Sequence, residues 1–380
     1  MSTLKADTIQ AATTNGNLAI SNQGTGGIAI DGMPHRNLII NGDMRIAARG
    51  TSFAAAAVNT YTLDRWEWMK VGTGVVTVTQ DTDAPTPAEA GTDYKFSFKV
   101  DVTTADASIA ASDRYWIHQK IEGFNTAHLG FGASSAATIT LSFWVKAAKT
   151  GAHYVNFTNS ATDRTYPASY SISVADTWEK KTIKVVGDTS GTWIGATNGV
   201  GLWVQFLLAA GTDHHATANT WSGTADQAGS DIVNELDNTA NNFYLTGVQL
   251  EVGAAATDFE HRDYASELAR CSRYFERIGG DRASQYISIG HTSATATCNI
   301  ALPHRKKRSN PTVTVSGATH FNVAQSGGAN ATTGMGTLVG QTDVSQLVAT
   351  VSGTPFDADG AANFQGDGTT NHYIDIDAEL

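Results

Sequence analysis

From Asn37 onward, short stretches in which apolar and polar residues alternate follow one another, separated by turn signals such as NG, GD and DTSG. In YKFSFKV, Tyr94, Phe96, Phe98 and Val100 fall on one face, and in TLSFWVKA so do Leu141, Phe143 and Val145. A period of two marks a half-buried antiparallel strand, whose successive side chains point to opposite sides. NLIINGDMRI, GVVTVTQ, HYVNFTN, ASYSISVA, KKTIKVV, GVGLWVQFLLA and NNFYLTGVQLEVG read as strands too. Many short strands at this spacing predict a sandwich or jelly roll, and the lack of a fixed-period repeat argues against a parallel β-helix.

Two segments break the texture. Residues 1–34 are rich in Gly and Asn, with thin apolar positions at Leu18, Ile20, Ile28 and Ile30 that have no means of forming a core. This extended N-terminal segment is expected to order only against other copies or a docking platform. In DYASELARCSRYFERIGG, Tyr264, Leu268, Cys271, Phe275 and Ile278 recur at steps of four and three, which predicts a helical junction over 263–278, stopped by Gly279 and Gly280. Its stripe either packs on the chain's own sandwich or serves as an oligomerisation helix.

Beyond the helix, QYISIGH, ATCNIAL, PTVTVSG, SQLVATVSG and HYIDIDAEL return to the strand pattern. The last of these places Ile374, Ile376 and Ala378 on one face and Asp375, Asp377 and Glu379 on the other. The predicted fold class is all-β. An antiparallel jelly-roll β-sandwich (35–262) is followed by the short helix and by a second, smaller β domain (279–380).

Composition agrees. Only 16% of the 380 residues are charged, against roughly 25% in ordinary soluble domains, and polarity comes from Thr, Ser, Asn and Gly, which suit strands and turns. With 25 Lys and Arg against 36 Asp and Glu the net charge is −11, which argues against nucleic acid or an anionic membrane surface as the main partner. No apolar run approaches the ~18 residues of a membrane span, so no membrane insertion is expected. Cys271 and Cys298 are too few for a disulfide framework, and no basic stretch leads into an apolar core near the N-terminus.

NLIINGDMRIAARGTSF (37–53), YTLDRWEW (61–68), WIHQKIEGF, TITLSFWVKAAKTG, SYSISVADTWEKKTIKVVGDTSGTW, GVGLWVQFLLAAGT and FYLTGVQLEVGAAATDFEHRDYASELARCSRYFERI together resemble a family of bacteriophage tail-fibre and related virion proteins. The opening STLKADTIQ also resembles virion proteins of marine and cyanobacterial phages. The resemblance implies a jelly roll similar to carbohydrate-binding modules, in a homotrimeric fibre assembled in the host cytoplasm and carried on the virion. It further implies attachment to other virion proteins through residues 1–34 and adsorption to a host cell-surface glycan. A capsid-attached head fibre or decoration protein with an architectural role is the alternative. Asp64, Arg65 and Trp66 fall where a buried salt bridge and an aromatic anchor would fix the sandwich, so they are expected to be structural.

Sugar binding needs flat aromatic faces beside amides and carboxylates. Trp193 and Asn198 in SGTWIGATNG, Trp221 in TANTWSG and Tyr166 in DRTYPAS are the candidates, with coverage of the core as their competing role. For metal, Asp213, His214 and His215 form a loop cluster that needs a distant further ligand, and Asp188 or Glu251 are candidate carboxylates for a structural calcium of the kind such sandwiches often carry, although their spacing fixes no oxygen set. No other cofactor is expected. HRKKR (304–308), flanked by Pro303 and Pro311, reads as a solvated hairpin connection, with attraction to phosphates or an acidic subunit as its functional alternative. No nucleophile elbow, HExxH, phosphate loop or dinucleotide turn is present, so no catalytic residue is assigned. A polysaccharide depolymerase stays as the enzymatic rival, because strands can bring distant carboxylates together.

Overall fold

The computed structural model describes residues 35–380 except 281, 326–327, 352–356, 358 and 370–371, and leaves aside the side chain of Leu338. The expectations for 1–34, with Leu18, Ile20, Ile28 and Ile30, lie outside the described residues. Twelve strands build the first domain: β1 (Ser52–Phe53), β2 (Thr60–Tyr61), β3 (Glu67–Val71), β4 (Val75–Asp81), β5 (Ser97–Thr104), β6 (Arg114–Glu122), β7 (Ile139–Ala147), β8 (Gly151–Thr158), β9 (Thr165–Ile172), β10 (Glu179–Val185), β11 (Val200–Ala210) and β12 (Asn242–Val252). They form two antiparallel sheets, ordered β1-β4-β5-β12-β7-β10 and β2-β3-β6-β11-β8-β9. Non-consecutive neighbours in both make this a jelly-roll sandwich.

The alternation decides what faces the core. Phe98, Val100, Leu141, Phe143 and Val145 from one sheet meet Trp66, Ile117, Val155 and Phe206 from the other, all fully buried. Phe143 and Phe206 meet edge to face at 5.1 Å, and Trp66 tilts against Phe206 at 6.1 Å, an arrangement that ring quadrupoles favour. NLIINGDMRI is not a strand. Asn41 and Met44 turn the chain at positive φ, and Gln119 takes the place of a ladder partner, accepting from Ile40 N and donating to Ile40 O, both at 2.8 Å.

The helix expected over 263–278 covers Tyr264–Ser272 only. Asp263 caps it, accepting from Ser266 N at 3.0 Å. Phe275–Gly279 is strand β13 instead, pairing with Tyr373–Asp377. The proposed stripe is therefore divided. Tyr264 is exposed, Leu268 and Cys271 pack with Ile40, Ile46 and Tyr274 of the same chain, and Phe275 and Ile278 lie on the strand.

The remaining strands are β14 (Tyr286–Ala294), β15 (Thr297–Pro303), β16 (Thr312–Val315), β17 (Phe321–Gln325), β18 (Gly328–Gly340), β19 (Val344–Val351), β20 (Ala361–Gly366) and β21 (Tyr373–Asp377). Six of them close a barrel in the order β14-β15-β19-β18-β17-β20, while β13, β21 and β16 make a separate three-stranded sheet. Ile374 and Ile376 enter the barrel's core cluster. The acids on the opposite face of β21 are committed to arginines, Asp375 to Arg277 and Asp377 to Arg49.

HRKKR is neither a hairpin nor fully solvated. It links β15 to β16, which do not pair with each other. Lys307 is buried, its Nζ donating to Ser272 O at 2.6 Å and to Glu276 at 2.9 Å. Arg308 donates to Asn198 O at 2.9 Å and to Glu379 O. Only Arg305 and Lys306 face water.

Candidate ligand-binding face

The outward face of the second sheet concentrates polar and aromatic chemistry. Along β6, Tyr115, Ile117, Gln119 and Ile121 point inward, so Arg114, Trp116, His118 and Lys120 point outward. Strand register continues the pattern sideways. Glu67 pairs with His118, His118 with Gln205, and Gln205 with Asn156, which makes one polar row straight across β3, β6, β11 and β8. Trp116 flanks this row on one side and Trp203 on the other. His118 is stacked between the two indoles, at 5.0 Å from Trp203 and 6.5 Å from Trp116. The Lys120 ammonium sits 4.7 Å above the half-buried Trp203 ring.

Amides knit the row together. Gln205 Oε1 accepts from Asn156 at 2.8 Å and from Gln227 at 3.0 Å, and Gln227 accepts from Arg114 at 3.0 Å. Among the described residues, buried polar atoms on this face without a partner include Trp116 Nε1, Trp203 Nε1, Asn156 Oδ1, Arg114 Nε and His118 Nδ1. Unpaired buried polar atoms are costly, so donors and an acceptor grouped on one aromatic floor suit a polar ligand.

Burial works against ionisation of Glu67, but hydrogen bonds from His118 and from Lys120, at 2.9 and 2.8 Å, outweigh it and pull its carboxyl down to about 2. Desolvation dominates at His118 and holds it below its ordinary value, so it is neutral at neutral pH. The result is an ionised acid shared between an ammonium and a neutral imidazole.

Of the residues singled out in the sequence, three converge elsewhere. Trp193, Trp221 and Tyr166 interlock with Phe131, Trp193 meeting Phe131 at 4.9 Å and Trp221 meeting Tyr166 at 5.2 Å. Both indole N–H groups donate to backbone carbonyls, Trp193 to Ser190 and Trp221 to Val186. Trp193, Phe131 and Leu129 wall a small cavity of about 60 Å³. Asn198 stands apart, donating to Arg308 O at 3.0 Å. The expected ion pair at Asp64 and Arg65 is drawn differently. Both are buried, but Arg65 pairs with Glu379 while Asp64 accepts from Ala48 N. Trp66 is the buried anchor, donating to Asn41 O.

The metal candidates have other occupations. Asp188 grips Arg164 through two 2.7 Å bonds, Glu251 accepts from Thr257, and His214 and His215 bond to the carbonyls of Ser112 and Ala210. Among the described residues no group of three or more acidic, His or Cys side chains is placed to hold an ion. Among them, too, no helix is long and apolar enough to cross a membrane.

No family model and no curated protein matches the sequence. Solved structures do. The enzymatically active domain of tailspike protein 4 of Bacteriophage CBA120 overlaps 58% of this chain at 13% identity and a TM-score of 0.30, and the overlap takes in 22% of that chain. TmCBM61, solved with β-1,4-galactotriose, overlaps 57% of this chain and 99% of its own, at 9% identity and a TM-score of 0.27. The CBM22-1 and GH10 modules of Clostridium thermocellum xylanase 10B, solved with xylohexaose, overlap 55% of this chain and 29% of theirs, at 15% identity and a TM-score of 0.27.

Proposed function

We propose that this chain is a non-enzymatic subunit of a bacteriophage virion fibre, homotrimeric in the particle, that binds a host-surface glycan on the outward face of its second sheet. The observation that carries the glycan reading is the half-buried Trp203 ring stacked on His118 beside the Gln205 and Asn156 amides, with its own N–H unpaired. A pyranose presents a C–H face to such a ring, while the buried Gln205 and Asn156 amides, bonded to each other, fix the strand that carries it. A binding role also agrees with Glu67. A glycosidic acid needs a raised pKa, whereas Glu67 is pulled down to about 2. The virion setting rests on the family resemblance of residues 37–278.

The architectural alternative draws support from the buried ion pairs that join the second domain to the sandwich. One experiment separates the two. The protein, sized in solution, is applied to a glycan array beside Trp203→Ala. The glycan reading expects saturable retention that falls about tenfold in the variant at unchanged melting temperature, since aromatic stacking is worth roughly 0.5–1.5 kcal/mol beyond burial. Retention that survives the substitution removes this face from the account.

A further inference from the structure

The barrel carries a groove of its own. Strands β14, β15, β19 and β18 lie side by side, and their register pairs Gly290 with Ile300, Ala301 with Gln346, and Gln346 with Val339. Ile289 then stands opposite Ala301, and Ile289, Ala301, Gln346 and Val339 form one row on the outside of the barrel. Their strand neighbours Ile300 and Leu347 are fully buried inside it. Over this row lies a groove of about 680 Å³, within the roughly 300–1,000 Å³ of ligand sites.

Its chemistry is specific. Ile289 is 67% exposed and Val339 43% exposed, an uncovered apolar floor. The side-chain amides of Asn299, Gln341 and Gln346 line the groove and have no hydrogen-bond partner among the described residues. In a chain of net charge −11, no carboxylate, ammonium or guanidinium lines it, and its one titratable side chain, His291, stands 3.8 Å from Asp359. A closed barrel offers no strand edge for an added β-strand, so an occupant must be held by side chains alone. We infer that this groove is a second binding site, for a neutral oligosaccharide. The C–H faces of its rings rest on Ile289, Ala301 and Val339, and its hydroxyls take up the three free amides. A lining without a fixed charge matches an uncharged ligand, since an acidic sugar would find no lysine or arginine there to pair with its carboxylate.

This site does not depend on the sandwich face, and the two are tested together on the full chain. The probe is an array of neutral and uronate-bearing oligosaccharides, presented to the wild type, Ile289→Arg, Gln346→Ala and Trp203→Ala. Both barrel substitutions fall on exposed positions outside the core. The expected result is at least one neutral oligosaccharide whose retention drops about tenfold in Ile289→Arg and several-fold in Gln346→Ala, is unchanged in Trp203→Ala, and persists in high salt. Three results overturn the inference: no neutral oligosaccharide sensitive to the barrel variants, preference for the uronates, or a fall in particle mass with Ile289→Arg, which marks the groove as a subunit contact. Loss in Trp203→Ala alone leaves the sandwich reading standing and removes this one.

Discussion

His118 is buried between two indoles with Nε2 2.9 Å from Glu67, and that environment ties stability to pH. Because burial lowers its pKa, the folded protein resists a proton that the unfolded chain accepts near 6.5. Its stabilising effect is therefore present above about pH 6.5 and is lost as pH falls below it. Glu67 acts in a different window, contributing above the ordinary carboxylate pKa of about 4.5 and losing its contribution as pH approaches 2. His118→Gln should flatten part of the drop in melting temperature between pH 7 and pH 5, with His214 and His261, also lowered by burial, accounting for more of it. Identical slopes for the two proteins would refute the assignment. The residues of this face were half legible. Alternation in WIHQK and GLWVQF places Trp116, His118, Trp203 and Gln205 on the side opposite the core, but nothing local says that β6 and β11 are neighbours. Trp193 and Trp221 stand out in the sequence because they sit in loops, and Tyr166 because it opens β9, but the fold packs the three rings on one another and ties both indole N–H groups to backbone carbonyls.

At the scale of elements, strand alternation was the dependable signal and the heptad-like spacing was not. Steps of four and three carried the predicted helix through Phe275 and Ile278, but in β13 those residues are an odd number apart and point to opposite sides, Ile278 toward the barrel core. Pairing with β21 satisfies ten residues of backbone that a longer helix would leave without tertiary partners. The charge run misled for a similar reason, since a sequence cannot show that Lys307 lies against the end of a helix. Its ammonium meets the Ser272 carbonyl at 2.6 Å, where a cation complements the helix C-terminus. Lys307→Met keeps the stem and removes the donor. It should cost about 1–3 kcal/mol, read as a lower denaturant midpoint at unchanged slope. Glu276 keeps water on its exposed part, so the cost stays below that of a fully buried orphaned charge. A midpoint equal to wild type would place the lysine's role elsewhere.

At the scale of the molecule, the two domains meet through charge. Arg65, 1% exposed, pairs with Glu379 and lies 3.6 Å over the Tyr274 ring, Arg49 reaches Asp377 at 3.1 Å and Glu379 at 3.3 Å, and Tyr61 and Lys120 both donate to Leu380 O at 2.8 Å. Replacing such a network by apolar packing is often neutral, yet removing one partner strands the others and costs several kcal/mol. That asymmetry predicts coupled unfolding in the wild type and its loss in Arg65→Ala. The tryptophans provide the reporter, because all eight lie between Trp66 and Trp221, in the sandwich. Wild-type fluorescence and calorimetry should give one coincident transition. In Arg65→Ala an earlier calorimetric transition should appear that fluorescence does not see, belonging to the barrel released from its support. Arg65, Arg49 and Glu379 are shielded from solvent, so moderate salt should not reproduce the effect. A single transition that merely shifts, seen alike by both probes, would mean that apolar contacts around Ile40, Tyr274 and Leu380 suffice to hold the domains together.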